Sequence, residues 1–188
     1  MRLSTRLGLM GGFLSMLFIT ILYITNSNLL IIGYERFTLL IFLATMVYGV
    51  LQQRQTNLSP NKIEDLLGHQ EMQKVYNNDF ASFGELLKLC FKIYVIGFFI
   101  RFLFIYFLFN YYDTQLIEMY KEVNERIFIE FKNPKDTELI FQQKLNDYRA
   151  GNFAPSFKNF LGIAIELIIG FIMAFFIALL FNRNQPDY

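Results

Sequence analysis

The amino-acid sequence predicts an all-α membrane protein, with four transmembrane helices and an extracytoplasmic helical hairpin between the third and the fourth. Three observations carry this reading. Four apolar stretches, at 7–24, 37–51, 93–109 and 160–181, are each about long enough to cross a bilayer, whose hydrocarbon core of about 30 Å needs about 20 helical residues. The stretches are apolar all round, without the polar–apolar alternation of barrel strands, and lipid admits only helices and closed barrels. Charged residues still make up 18% of a chain that is 54% hydrophobic, so a sizeable water-exposed part accompanies the spans. With their flanks, the spans run about 7–24, 34–53, 88–110 and 158–181, around an inner loop 54–82 and an outer hairpin 111–157, in a single integral membrane domain 1–188.

The first span follows Met-Arg-Leu-Ser-Thr-Arg, a charged start like that of a signal peptide. Its apolar run of 18 residues exceeds a signal core of about 7–15, and no small-x-small cleavage site follows. It is expected to be retained. The second span is the shortest, with Glu35 and Arg36 before it and Gln52 and Gln53 after it. Snorkelling of these polar groups lets it cross; a re-entrant segment is the alternative. In the inner loop, Ser59, Pro60 and Gly68 read as the N-cap, first turn and stop of a short helix. His69 is the single histidine and reads as a solvated loop residue, since one imidazole without further ligands makes no metal site.

After the third span, Leu116, Tyr120, Val123 and Ile127 fall at spacings of four, three and four among charged residues, the signature of an amphipathic helix. Nothing between Asn110 and Thr114 demands a break, so the third span is expected to continue outward as one rod from near Phe83 to near Phe131. The chain then turns at Lys132-Asn133. Asn133 and Pro134 suit the cap and first position of a second helix, and Asp136 and Glu138 favour its start through the helix dipole. Phe141, Leu145 and Tyr148 form its apolar stripe, and Gly151 ends it. The two stripes either pack on each other and stand on the bundle, dock a partner or a second copy, or lie on lipid.

Lys/Arg bias in the flanks orients the spans. Arg2, Arg6, Arg54, Lys62, Lys74, Lys88, Lys92 and Arg183 all fall on one side, the cytoplasm, and the opposite short loop 25–36 holds only Arg36. The segment 110–159 carries seven basic residues against eight acidic ones and is a poor orientation signal. Tyr23, Tyr34, Tyr111 and Tyr112 fall at the outer boundary, where aromatic belts form. Both termini are expected in the cytoplasm.

Arg101 stands near the middle of the third span, where a charge costs about 2.5–3.5 kcal/mol on insertion scales. It calls for a partner inside the bundle, and Glu166 is the candidate. At 1.5 Å rise per residue, Arg101 and Glu166 lie roughly 12 and 9 Å below the outer edge of their antiparallel spans. Such a pair either fixes helix register or provides a polar site for a headgroup, ion or proton; snorkelling to water is the third possibility. Gly8-x-x-x-Gly12, with Gly11 beside it, and Gly170-x-x-x-Ala174-x-x-x-Ala178 allow close approach of helix backbones, within one bundle or between copies.

Net charge of +1 gives no reason to expect a nucleic acid partner. The single cysteine, Cys90, excludes an internal disulfide and reads as a packing residue. No nucleophile–base pair, cofactor motif or metal cluster is visible, so no catalytic residue, cofactor or metal is expected.

The order of features resembles a known family. A Gly-rich first span and a second one are followed by Asn78-Asp79-Phe80-Ala81-Ser82-Phe83-Gly84-Glu85-Leu86-Leu87-Lys88 leading into the third, an acidic helical insertion from Tyr112-Asp113, and a Gly/Ala-rich fourth span. This resembles the bacterial membrane-protein family called domain of unknown function 4199, seen mostly in Bacteroidetes, over nearly the whole chain. Two departures stand out: the inner loop between Asn57 and Lys74 is longer than the family's short turn, and Thr114 follows Asp113 where proline is expected. The resemblance implies an architecture and a compartment, and no catalytic residues. The resulting expectation is a non-enzymatic subunit or scaffold of a membrane complex, with the lipid bilayer and another membrane protein or a second copy as partners. The alternative is a small transporter or a lipid- or anion-binding protein that uses Arg101 and Glu166.

Overall fold

A computed structural model describes residues 2–57, 82–132, 137–151, 153, 155–156 and 160–181. The short helix expected at Ser59–Gly68, His69, and the expected cap at Asn133 and Pro134 lie outside the described residues. Among the described residues every regular element is helical: α1 (Leu3–Thr25), α2 (Ser27–Ile32), a 3₁₀ turn (Tyr34–Phe37), α3 (Thr38–Asn57), α4 (Phe83–Phe107), a π-helical turn (Leu108–Tyr112), α5 (Gln115–Glu130), α6 (Glu138–Ala150) and α7 (Phe160–Phe181). Among the described residues, four segments are long and apolar enough to cross a membrane: Leu3–Thr25, Tyr34–Gln53, Phe83–Tyr112 and Leu161–Phe181.

The other three are arranged around α4, which packs against α1, α3 and α7. Small residues let it do so. On α1, a Cβ added to Gly8 would stand 2.7 Å from Ile96 Cβ, and one on Gly12 would stand 2.8 Å from Ile100 Cβ. Real carbon atoms do not approach that closely, so the absent methyls set how near α1 and α4 come. On α7, Ala174 and Ala178 are fully buried in the same core as Leu86, Cys90, Ile93 and Tyr94 of α4 and Phe42, Met46 and Val50 of α3. A second apolar core, made by Ile19, Leu30, Ile31, Leu108, Phe109 and Leu116, closes the hairpin end of the bundle.

The entry to α4 is fixed by sequence-local chemistry. Ser82 Oγ accepts the Glu85 backbone N–H at 3.4 Å while Glu85 Oε2 accepts the Ser82 N–H at 2.9 Å, a reciprocal capping box. The helix therefore begins at Phe83, nearly three turns before the apolar run at about 3.6 residues per turn. The second span likewise extends past its apolar limit, as one helix Thr38–Asn57.

Three expectations about the connections are corrected. The loop 25–36 is largely helical: Asn26 caps α2 by accepting the Asn28 N–H, and Gly33 ends it at φ 99°, a left-handed conformation that glycine adopts without strain. The expected rod from the third span into the hairpin is interrupted. The Asp113 N–H donates to the Leu108 carbonyl, five residues back, at 2.8 Å, and Asp113 leaves the helix at φ −137°, ψ 85°. Its carboxylate then accepts the Gln115 N–H at 3.1 Å and the Tyr23 hydroxyl at 2.9 Å. This Asx-type capping restarts the chain as α5 and swings Leu116 into the core at the bundle end. Finally, α6 opens only at Glu138, behind an extended Thr137, while Gly151 ends it as the sequence suggests, in an extended conformation.

The hairpin helices α5 and α6 pack on each other, and α5 rests on α2. Leu116 is fully buried against the bundle and Val123 packs against the same cluster, whereas Tyr120 and Ile127 are exposed. Phe128, outside the expected stripe, takes the place of Ile127: its ring stacks on Phe141 and Tyr148 at centroid separations of 5.9 and 5.3 Å. Phe141 and Leu145 are buried under this contact.

Two ion pairs clamp the hairpin from outside. Arg149 Nε donates to Glu125 Oε1 at 3.0 Å, and Lys132 donates to Glu138. The hydrogen bond from Arg149 holds the Glu125 carboxyl below its usual range, and that from Lys132 does the same for Glu138. A depressed folded-state value stabilises at pH above the ordinary carboxylate value of about 4.3 and is lost as pH falls through the lower, folded value. Hydrogen-exchange protection of α6 amides is therefore expected to be flat from pH 7 to about 5 and to fall below about 4. In Arg149→Gln the Glu125 share of that acid step should disappear.

Candidate polar site within the span bundle

Four polar or charged side chains are buried among the described residues: Ser15, Thr38, Thr45 and Arg101. Two of them are satisfied within their own helices. Ser15 donates to the Gly11 carbonyl at 2.8 Å and Thr45 to the Phe42 carbonyl at 2.9 Å, the back-bonding open to hydroxyls in a helix. Arg101 has no such outlet and draws its partners from other helices.

Arg101 Nη2 lies 3.2 Å from Glu166 Oε2 of α7, and its side chain is 8% exposed against 34% for Glu166. The second nitrogen, Nη1, donates to Thr38 Oγ1 of α3 at 2.9 Å, and that hydroxyl donates onward to the Glu35 carbonyl at 2.7 Å. The ring of Phe98, one turn below, lies 5.7 Å from the guanidinium carbon, a cation–π distance. The Glu35 carboxylate is within electrostatic reach of Arg101, Arg36 and Glu166. One arginine thus ties three spans together where the two apolar cores meet. Its third nitrogen, Nε, is buried with no hydrogen-bond partner in the described structure. A buried unpaired donor is costly, so this atom points to an acceptor such as water or an anionic group.

Tyr94 completes the arrangement. Its hydroxyl donates to the Glu166 carbonyl at 2.9 Å and stands 3.4 Å from Glu166 Oε2. Its ring reaches that carbonyl by lying across Gly170, one helical turn further along α7, where an added Cβ would stand 2.0 Å from the ring. Phe42 meets the ring edge-on at 5.4 Å and Phe98 stacks on it at 6.1 Å. Loss of the hydroxyl in Tyr94→Phe is expected to cost about 1 kcal/mol, read as a lower thermal midpoint in detergent, with the ring packing intact.

The structure thus brings together Arg101, Glu166 and Gly170 of the residues singled out in the sequence, while Gly8 and Gly12 serve a different contact and the hairpin residues lie apart. Thr38, Tyr94 and Glu35 were missed. Thr38 and Tyr94 are mildly polar members of apolar runs, and only the three-dimensional packing shows their hydroxyls turned to the pair. Glu35 read as a charge snorkelling at a span end. Among the described residues no group of three or more His, Cys, Asp or Glu side chains is placed to hold a metal ion.

Comparison with curated proteins and with solved structures gives no match. Residues 6–183 match the family described as "Protein of unknown function (DUF4199)", which takes in the four apolar helices and the hairpin together. The chain, with its four span-length helices and its arginine-centred cluster, belongs to the DUF4199 family.

Proposed function

We propose that this protein is a multi-pass protein of a bacterial inner membrane, with both termini cytoplasmic and the hairpin outside. In this reading it is a non-enzymatic subunit or scaffold of a membrane complex, working through helix contacts and through the hairpin. The observation that carries it is the hairpin tip. The hairpin helices are rich in charge, yet Phe131 and Leu139 are each 79% exposed at the turn between them, with Ile127 and Ile129 beside them about half exposed. Large apolar side chains held out on a water-facing element mark an interaction surface. The partner suited to it is the apolar face of another membrane protein's water-exposed segment.

The test is purification in mild detergent or native nanodiscs at natural expression, with mass spectrometry of what comes along. A stoichiometric protein that is lost in the double variant Phe131→Glu, Leu139→Glu, while the thermal midpoint holds, supports the reading. A lone protein overturns it. Orientation is tested separately in a Cys90→Ser background with a cysteine placed at Glu122, which should react with a membrane-impermeant maleimide added from outside.

A second reading rests on the unpartnered Arg101 Nε: a small transporter or a lipid- or anion-binding protein with Arg101 and Glu166 as its polar site. A bound anion retained by the lone protein and lost in Arg101→Gln, with folding unchanged, would favour it.

A further inference from the structure

At the hairpin end of the bundle, α1 and α4 part to leave a pocket of about 240 Å³. Thr20, Tyr23 and Ile24 form one wall, and Phe104, Phe107 and Leu108 form the other. Tyr112 stands over its end, with its ring edge-on to Tyr23 at 6.1 Å. The geometry points to a binding site for the acyl chain of a membrane phospholipid.

The lining decides the chemistry. The Thr20 hydroxyl is spent on the Met16 carbonyl at 2.8 Å, and the Tyr23 hydroxyl on Asp113 at 2.9 Å. What remains toward the pocket is mostly hydrocarbon and aromatic surface, which offers water few partners. An unfilled apolar pocket forfeits dispersion contacts, so the favoured occupant is the apolar material nearest to hand. Ile24, Phe107 and Tyr112 are 76%, 57% and 69% exposed, so the mouth opens sideways on the faces that span-length helices turn to the bilayer. The second wall runs from Phe104 in α4 through the π-helical turn to Tyr112, roughly 12 Å at about 1.5 Å per residue. A wall of that length suits a stretch of acyl chain better than a single side chain of a neighbouring helix.

An independent feature coincides with the pocket. The turn Leu108–Tyr112 is π-helical, closed by the bond from the Asp113 N–H to the Leu108 carbonyl at 2.8 Å. Such turns recur at functional sites because one extra residue widens the helix and re-aims its side chains. Here the widened turn supplies Leu108 to the wall and Tyr112 to the end. Tyrosines at the ends of both helices sit where aromatic belts meet headgroups, so a lipid would leave its headgroup beside Tyr23 and Tyr112 and lay the upper part of one chain into the pocket.

The full chain in nanodiscs of phosphatidylethanolamine and phosphatidylglycerol, with a trace of phosphatidylethanolamine carrying a diazirine in the upper half of one acyl chain, provides the test. After illumination, adducts are mapped by mass spectrometry. Leu108 is 5% exposed and borders the pocket, whereas Leu103 is 52% exposed on the open face of α4. Adducts on Leu108 and Phe104 at or above the level on Leu103 are expected. Labelling of Leu103 with none on Leu108 overturns the proposal, whether bulk lipid never enters or a protein side chain holds the pocket. In Thr20→Phe, which fills the pocket, the Leu108 adducts should be lost while those on Leu103 persist, and Thr20→Val should behave as wild type. Undiminished Leu108 labelling in folded Thr20→Phe would also overturn it; Ile24→Phe, at the rim, serves if Thr20→Phe does not fold.

Discussion

Gly170→Ala is expected to lower the thermal midpoint in detergent by roughly 10 °C, corresponding to about 3 kcal/mol of overpacking. A single methyl has this effect because of what it meets. The added Cβ would stand 2.0 Å from both Cδ1 and Cε1 of Tyr94, and the ring cannot step aside. Phe42 holds it edge-on, Phe98 stacks on it, and its hydroxyl is tied to the Glu166 carbonyl. Relief requires α7 to move away from α4, which would also pull Glu166 from Arg101. Gly84→Ala is the control: an added Cβ there meets nothing within 4 Å, and alanine favours a helix over glycine, so the midpoint should be unchanged or slightly higher. Tyr94→Leu should partly rescue Gly170→Ala, because it removes the rigid ring the methyl strikes. Strict additivity of the two changes would show that the contact is not the cause.

The sequence reading located Gly170 by its small-residue spacing, but spacing alone does not say which glycine is critical or against what. Gly8, Gly12 and Gly170 all fit the same pattern, yet the first two meet isoleucine side chains and the third meets an immobilised aromatic ring. The four long apolar helices and the Arg101–Glu166 juxtaposition were legible because helical rise is constant, so residue counts convert directly to distance along a helix. The connections were not, because their causes are non-local. The break at Asp113 depends on Tyr23, ninety residues away in the chain, and on the apolar cluster of Ile19, Leu30, Ile31, Leu108 and Phe109 that Leu116 joins. Helix α2, of six residues, is too short to show a period. In the hairpin, Ile127 and Phe128 are adjacent, and the choice between them rests on the facing Phe141 and Tyr148, which no periodicity in α5 reveals.

The Arg101–Glu166 pair should respond asymmetrically to loss of either partner. Breaking a buried ion pair costs about 3–5 kcal/mol, since the remaining charge stays in a low-dielectric interior. The two remaining charges are not equivalent here. An arginine cannot shed its proton in a protein, and Arg101 is enclosed at 8% exposure with Nε already lacking an acceptor. Glu166 is 34% exposed and accepts from Tyr94 as well, and a carboxyl can take up a proton and become neutral. Glu166→Leu is therefore expected to cost more than Arg101→Met, with the folded yield after detergent extraction as the readout. Glu166→Gln should fall between, because its carbonyl can still accept from Nη2. The double variant Arg101→Glu, Glu166→Arg should recover most of the yield lost by either single swap, since the Thr38 hydroxyl, which now accepts from Nη1, can rotate to donate to a carboxylate at position 101. Equal losses in the two single truncations would mean that water or lipid headgroups reach Arg101. Failure of the double swap would mean that the cation–π contact with Phe98 and the bond to Thr38, rather than the charge pair, hold the arginine in place.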